Sequence, residues 1–337
     1  MGEIHIRKTG RAGRITLTRP EALNALTYGM MKAMEAAIDA WVDDPDVAMV
    51  VIDAAGERAF CSGGDIADLY RTGTAGDYQW GRDFWFEEYR LNTKLANYPK
   101  PITAFCQGFT MGGGVGISLH SSHRVAGESS QIAMPECGIG LVPDVGGSLL
   151  LARAPARAGF YLALTATRMN AADAIWAGFI DHFIPEADWP AVITELEKSG
   201  EPARIVEAAQ EATGESLAAQ ADETARLFSG ATLTEIHDAL HVDGGDFAAA
   251  ALKKMGRNAP LSMAVIVEIM QRLQSPDATV RDALDLEYLF VSQSMEHGDF
   301  LEGIRAQIID KDRNPRWRHP WPGEIPAADI ARMLTPV

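Results

Sequence analysis

Cations are in short supply here: 337 residues carry 30 lysines and arginines against 46 aspartates and glutamates, a formal net charge of −16. So acidic a chain disfavours nucleic acid and anionic membrane surfaces as partners. Cysteine is scarcer still. The three, Cys61, Cys106 and Cys137, form no CxxC pair and sit in apolar or glycine-rich stretches, so reduced thiols are expected rather than a disulfide framework. No apolar run approaches the roughly 18 residues of a membrane span. The opening MGEIHIRKTG lacks the apolar core of a signal peptide, which makes the cytoplasm the expected location. Complete GxSxG, GxGxxG and GxxxxGK(S/T) signatures are missing, so serine-hydrolase elbows, dinucleotide folds and P-loops lack their motifs. Neither HExxH nor paired CxxC is present to suggest a metal.

What is there is an ordinary globular composition, 47% hydrophobic and 23% charged, with length for a substantial core and about two domains. Segments Ile4 to Lys8 and Arg14 to Thr18 alternate around Gly10 and Gly13 and predict a hairpin. Thr27 is placed to cap a helix carrying Met31, Met34, Ile38 and Trp41 at helical spacing, closed by Asp43-Asp44-Pro45. The continuous apolar run Val47 to Asp53 predicts a strand covered on both faces. A loop is expected at Gly73 to Asp77, then one long helix through Trp80, Phe84, Glu88 and Leu91. Short strands are expected at Arg124 to Ala126, Gln131 to Ala133 and Asp181 to Ile184. Beyond Asp188 the periodicity is helical throughout, over Ala218 to Leu227, Asp246 to Met255, Ser262 to Leu273 and Val280 to Met295. Flexible joints are expected at Gly214 to Ala221 and Asp243 to Gly245.

The densest chemistry lies between Phe105 and Ser148. There an apolar run breaks into Gly108 and the triplet Gly112-Gly113-Gly114, then resumes as a helix over Val115 to His120. A strand feeding a helix through glycines exposes backbone N–H groups to a ligand oxygen, and the helix dipole favours negative charge there. Downstream stand Glu136, in Met134-Pro135-Glu136, and Asp144, in Pro143-Asp144-Val145-Gly146-Gly147. The glycines and proline between them exclude a single connecting helix, so loop reversals must bring the acids together. Taken singly each has an ordinary role: turn glycines, a solvated loop acid, and a helix N-cap at Asp144. An earlier stretch, Phe60-Cys61-Ser62-Gly63-Gly64-Asp65-Ile66, repeats the strand, glycine turn, helix design.

That combination resembles the crotonase superfamily, whose two backbone N–H groups hold the carbonyl of an acyl-CoA thioester. Carried over by position, those donors are Gly64 and Gly113. Superfamily hydratases place one catalytic glutamate two residues after the glycine triplet, where this chain has Gly116, and another at the Pro-Glu, present here as Glu136. They also tend to have glycine where this chain has Asp144. GGGVG followed by MPE and PDVGG is similar to the 3-hydroxyisobutyryl-CoA hydrolase branch, as are Phe86 to Asn92 and Asp299 to Trp317, DFLEGIRAQIIDKDRNPRW. The resemblance covers nearly the whole chain. It implies an α/β fold with a repeated ββα spiral core at residues 1–200 and a helical region at 201–337.

The same resemblance implies hydrolysis of a short 3-hydroxyacyl-CoA, a step of valine catabolism, with Glu136 as base or nucleophile and Asp144 on the 3-hydroxyl or assisting Glu136. A glutamate matching Glu88 lines the substrate site in that branch, although tandem Glu87 and Glu88 are ordinarily solvated. The expected partner is the acyl-CoA substrate, with no membrane or nucleic acid and no separate cofactor; a homo-oligomer is left open. Arg14, Arg19, Arg90 and Lys311 are candidates for the CoA phosphates, each better explained singly as surface charge. Alternatives are an enoyl-CoA hydratase or isomerase, which would share Glu136, and a catalytically silent acyl-CoA-binding protein.

Overall fold

A computed structural model describes residues 2–214 and 216–337. The chain divides into two compact units, one built from Met1–Asp65, Arg90–Ala133 and Arg168–Ser216, the other from Ile66–Tyr89, Met134–Thr167 and Leu217–Val337.

The first unit holds every strand found among the described residues. β1 (Ile4–Thr9) and β2 (Ala12–Leu17) form the expected antiparallel hairpin. β3 (Met49–Ala54), β5 (Ile102–Cys106), β7 (His123–Ala126) and β9 (His182–Phe183) extend it in parallel, in the order β1-β2-β3-β5-β7-β9. Residues 49–52 and the whole of β5 are buried, as an apolar strand covered on both faces should be. Met49 and Val51, two apart and therefore on one face, pack with Phe105, Val125, Trp189 and Leu196. Trp189 and Leu196 belong to a helix, Trp189–Ser199, in the stretch beyond Asp188 expected to be helical, although no bounds were set for it there. The Tyr28–Trp41 helix starts as predicted, with Thr27 Oγ1 accepting from the Met30 N–H at 3.2 Å.

A second sheet is made of three short parallel strands, β4 (Ala59–Cys61), β6 (Phe109–Met111) and β8 (Gln131–Ala133). At three residues each, β4 and β6 are too short to show a period, and the sequence reading folded them into the glycine turns.

The second unit is helical. It includes Tyr78 to Tyr89 of the Tyr78–Ala96 helix, and the helices Gly147–Arg153, Ala158–Thr165, Pro260–Arg272 and Val280–His297. The last opens with a capping box between Thr279 and Asp282. Gly73 is not in a loop; it lies inside the Ala67–Thr74 helix, where a Cβ would have to push aside side-chain atoms of Leu301 and Met295. The joint at Asp243 to Gly245 is one tight turn, with Gly244 capping Leu233–Asp243 before the next helix begins at Asp246. In the joint at Gly214 to Ala221, Glu215 lies outside the described residues. No helix among the described residues is long and apolar enough to cross a membrane.

Candidate active site

In the first unit, β4 and β6 are hydrogen-bonded neighbours running in parallel, Ala59 opposite Phe109 and Cys61 opposite Thr110. Each strand ends in its glycine turn, so the two turns emerge side by side, at the strand ends where α/β folds place ligands. Gly63, at φ +114°, packs against Met111 and Gly113. Leu26 brackets Gly64: its N–H donates to the Gly63 carbonyl at 2.9 Å, and its carbonyl accepts from the Asp65 N–H at 2.8 Å. That leaves the Gly64 N–H directed away from this bridge. Gly113 is the first residue of the helix Gly113–Leu119, where an N–H has no acceptor within the helix. The entry depends on Gly112, at φ +51° and ψ −123°, a conformation essentially closed to other residues. At Gly114 a Cβ would lie 2.3 Å from the Cys61 carbonyl oxygen, so the turns could not approach this closely with any larger residue. Gly116 lies buried in the same helix, its carbonyl accepting from Asn92 Nδ2 at 3.3 Å.

The second unit brings the predicted acids together. Glu88 on the Tyr78–Ala96 helix, Glu136 in a single turn of 3₁₀ helix (Glu136–Ile139), and Asp144 are all about 5% exposed or less. Burial pushes each carboxyl up, and the charge of Asp144 adds to the rise at Glu88 and Glu136. Asp144 is lifted to about 7 by burial, while the Tyr89 hydroxyl donating to Oδ2 at 2.8 Å opposes the rise. Glu136 Oε2 is buried without a hydrogen-bond partner among the described residues. These acids hold their protons up to near-neutral pH and above, the behaviour that general acid and base work requires.

The structure corrects two readings. Asp144 is not a helix cap; the Gly147–Arg153 helix is capped by Gly146, and the anion at its N-terminus is Glu287. Of the candidate phosphate-binding cations, Arg14 is buried and held by Asp53 and Glu197, Arg19 pairs with Asp65 at 3.0 Å, and Arg90 with Glu35 at 2.6 Å. Only Lys311 of the four is exposed without a recorded ion pair among the described residues. Two contributors were missed. Tyr89 lies within the quoted Phe86 to Asn92 segment, and Glu287 occupies a position on the apolar face of its helix with Leu284, Phe290 and Val291, itself a signal.

All three cysteines are buried thiols outside any disulfide, and burial pushes the Cys106 thiol up to about 12, which removes it as a nucleophile. No group of His, Cys, Asp and Glu among the described residues is arranged to hold a metal ion. A cavity of about 460 Å³, lined by Leu261, His297, Arg318, His319, Asp329 and Arg332, contains none of the acids above.

A family model described as enoyl-CoA hydratase/isomerase matches residues 12–334. The 3-hydroxyisobutyryl-CoA hydrolase, mitochondrial, of Xenopus tropicalis is 38% identical over 94% of this chain and 84% of its own. A crystal structure described as an enoyl-CoA hydratase from Rhodobacter sphaeroides 2.4.1 superposes with a TM-score of 0.94 at 53% identity, covering 100% of this chain and 98% of that one. Another, described as a carnitinyl-CoA dehydratase from Mycobacterium thermoresistibile, gives 0.94 at 36% identity, covering 100% and 97%. The α/β core and helical C-terminal region are the crotonase fold that the glycine turns led us to expect.

Proposed function

Because the chain belongs to the enoyl-CoA hydratase/isomerase family and is a CoA-thioester enzyme of the crotonase superfamily, we propose that it hydrolyses a short 3-hydroxyacyl-CoA, 3-hydroxyisobutyryl-CoA first among them. The observation that carries this reading is the buried pair Glu136 and Asp144, together with a residue lacking any side chain at Gly116. Hydration of an enoyl thioester in this family uses two glutamates, and Gly116 stands where the first would be. An acid at Asp144 offers instead a polar contact to a hydroxylated acyl group.

In this reading the Gly64 and Gly113 N–H groups receive the thioester carbonyl oxygen and stabilise the oxyanion as it forms; one such donor is worth about 10² to 10³ in turnover. Glu136 either takes a proton from the attacking water or attacks the carbonyl itself, and collapse of the tetrahedral intermediate expels the CoA thiolate; in the second case water then hydrolyses the acyl anhydride on Glu136, releasing the hydroxyacid and restoring the carboxylate. Asp144 accepts from the 3-hydroxyl or assists Glu136.

A second reading, hydration of an enoyl-CoA, is favoured by the description of the 53% identical Rhodobacter sphaeroides structure. One assay separates them: purified protein with (S)-3-hydroxyisobutyryl-CoA, 3-hydroxypropionyl-CoA and crotonyl-CoA, following thiol release and enoyl absorbance independently. Thiol released from the hydroxyacyl thioesters, with crotonyl-CoA left largely unhydrated, is the expected result. Rapid loss of enoyl absorbance without thiol release assigns the chain to the hydratases.

A further inference from the structure

Glu287 is fully buried on the Val280–His297 helix, and no cation pairs with it among the described residues. A buried carboxylate without a counter-ion is expensive unless donors satisfy it. Three donors do, all from one short turn. Glu287 Oε2 accepts from the Gly146 N–H at 2.8 Å; Oε1 accepts from the Ser148 N–H at 3.2 Å and from the Ser148 hydroxyl in a short contact. Neither N–H group can act as an acceptor, so both oxygens accept from the backbone; burial and the charge of Asp144 raise this carboxyl to about 8, and the three donors oppose the rise.

The turn so gripped is the one that carries Asp144. Its next residue, Val145, stands at φ +54°, a left-handed conformation that a β-branched side chain resists, and Gly146 follows at φ +85°. Such backbone persists only where its surroundings over-determine it. Glu287 supplies that constraint from 141 residues downstream. On the other side of Val145, the Asp144 carboxylate meets the Tyr89 hydroxyl at 2.8 Å. A strained residue is thus held between two anchored ends.

We propose that Glu287 is a positioning residue: by clamping the N–H groups of Gly146 and Ser148 it holds Val145 in its left-handed conformation and so sets the Asp144 carboxylate in place. The catalytic consequence rests on the hydrolase reading above; the structural one does not. Glu287 is also one of the charges that raise Glu136, behind burial and Asp144.

The test is Glu287→Gln, whose amide oxygen can keep one arm of the clamp while its NH2 group opposes the other. A crystal structure of the variant should show Val145 out of the left-handed region and the Tyr89 hydroxyl beyond hydrogen-bond distance of Asp144. In the folded variant, kcat for the hydroxyacyl thioester should fall by about 10²-fold, the effect of misplacing a reacting group by an ångström, with KM changed far less. Glu287→Asp, which keeps the carboxyl, should recover part of that loss. Should Glu287→Gln fail to fold, Ser148→Ala removes only the hydroxyl arm and should shift the same two readouts in the same direction by less. An unchanged turn, or a displaced turn with unchanged kcat in a wild type that hydrolyses the thioester, overturns the proposal. A merely structural Glu287 would lower the melting temperature and leave kcat of the folded protein alone. If the wild type releases no CoA from any hydroxyacyl thioester, the hydrolase reading fails, and the crystal structures still decide whether Glu287 positions Asp144.

Discussion

The Tyr89 hydroxyl donates to Oδ2 of Asp144 at 2.8 Å, and both groups are buried. The bond stabilises the ionised carboxylate in a place where burial favours the neutral acid. Tyr89→Phe should therefore raise Asp144 above its value of about 7, by roughly one to two units, since a hydrogen bond to a charged group is worth about 1.5–3 kcal/mol. Carboxyl-carbon NMR titration of wild type and variant reads this directly; an unmoved titration would show that the hydroxyl does not tune Asp144.

Asp144→Asn tests the acid itself. Because burial raises this carboxyl in the folded state from its ordinary 3.8, its contribution to stability is fully present below about pH 4 and is lost as pH rises through about 7. Removing the charge removes that loss. The variant's melting temperature should fall less than that of the wild type between pH 5 and pH 8, while turnover drops by about 10²-fold or more. Equal pH dependence in the two proteins would mean that Asp144 is not titrating in this range.

The same substitution moves the rate profile. Asp144 is one cause of the raised Glu136, second to burial. If Glu136 must be ionised to act, the acid limb of kcat/KM should shift to lower pH in Asp144→Asn, and by less in Tyr89→Phe, where Asp144 holds its proton more tightly and so carries less charge. Shifts in opposite directions, or none in Asp144→Asn, would contradict the coupling.

Glu136→Gln should abolish CoA release without abolishing binding, since the proposed oxyanion donors are backbone groups that the change leaves in place. It should not cost stability either. Glu136 Oε2 has no partner among the described residues, so an amide there removes a buried ionisable group; calorimetry should find a melting temperature equal to or above that of wild type at pH 8.

Gly113→Pro removes one backbone donor at the first position of a helix, where proline is tolerated. Turnover should fall by about 10² to 10³ with circular dichroism unchanged. Retained turnover in the folded variant would remove Gly113 from the oxyanion role.

Local chemistry determined much of this protein before any contact formed. The period-2 hairpin, the apolar β3 and β5, the Thr27 cap and the late helical periodicity are properties of neighbouring residues, and the glycine turns declare themselves because glycine alone can adopt a conformation such as that of Gly112. What lay beyond reach was set by pairing at a distance. β4 is a strand because it lies beside β6, and β6 because it lies between β4 and β8; three residues carry no period of their own. Asp144 looked equally like a cap and a catalytic acid, since Asp before a helical run suits both; the register of Gly146, Tyr89 and Glu287 decided it. The raised proton affinities belong wholly to tertiary structure, because an acid's pKa follows from its burial and its neighbours' charge, and the charge that raises Glu287 is that of Asp144, far away along the chain.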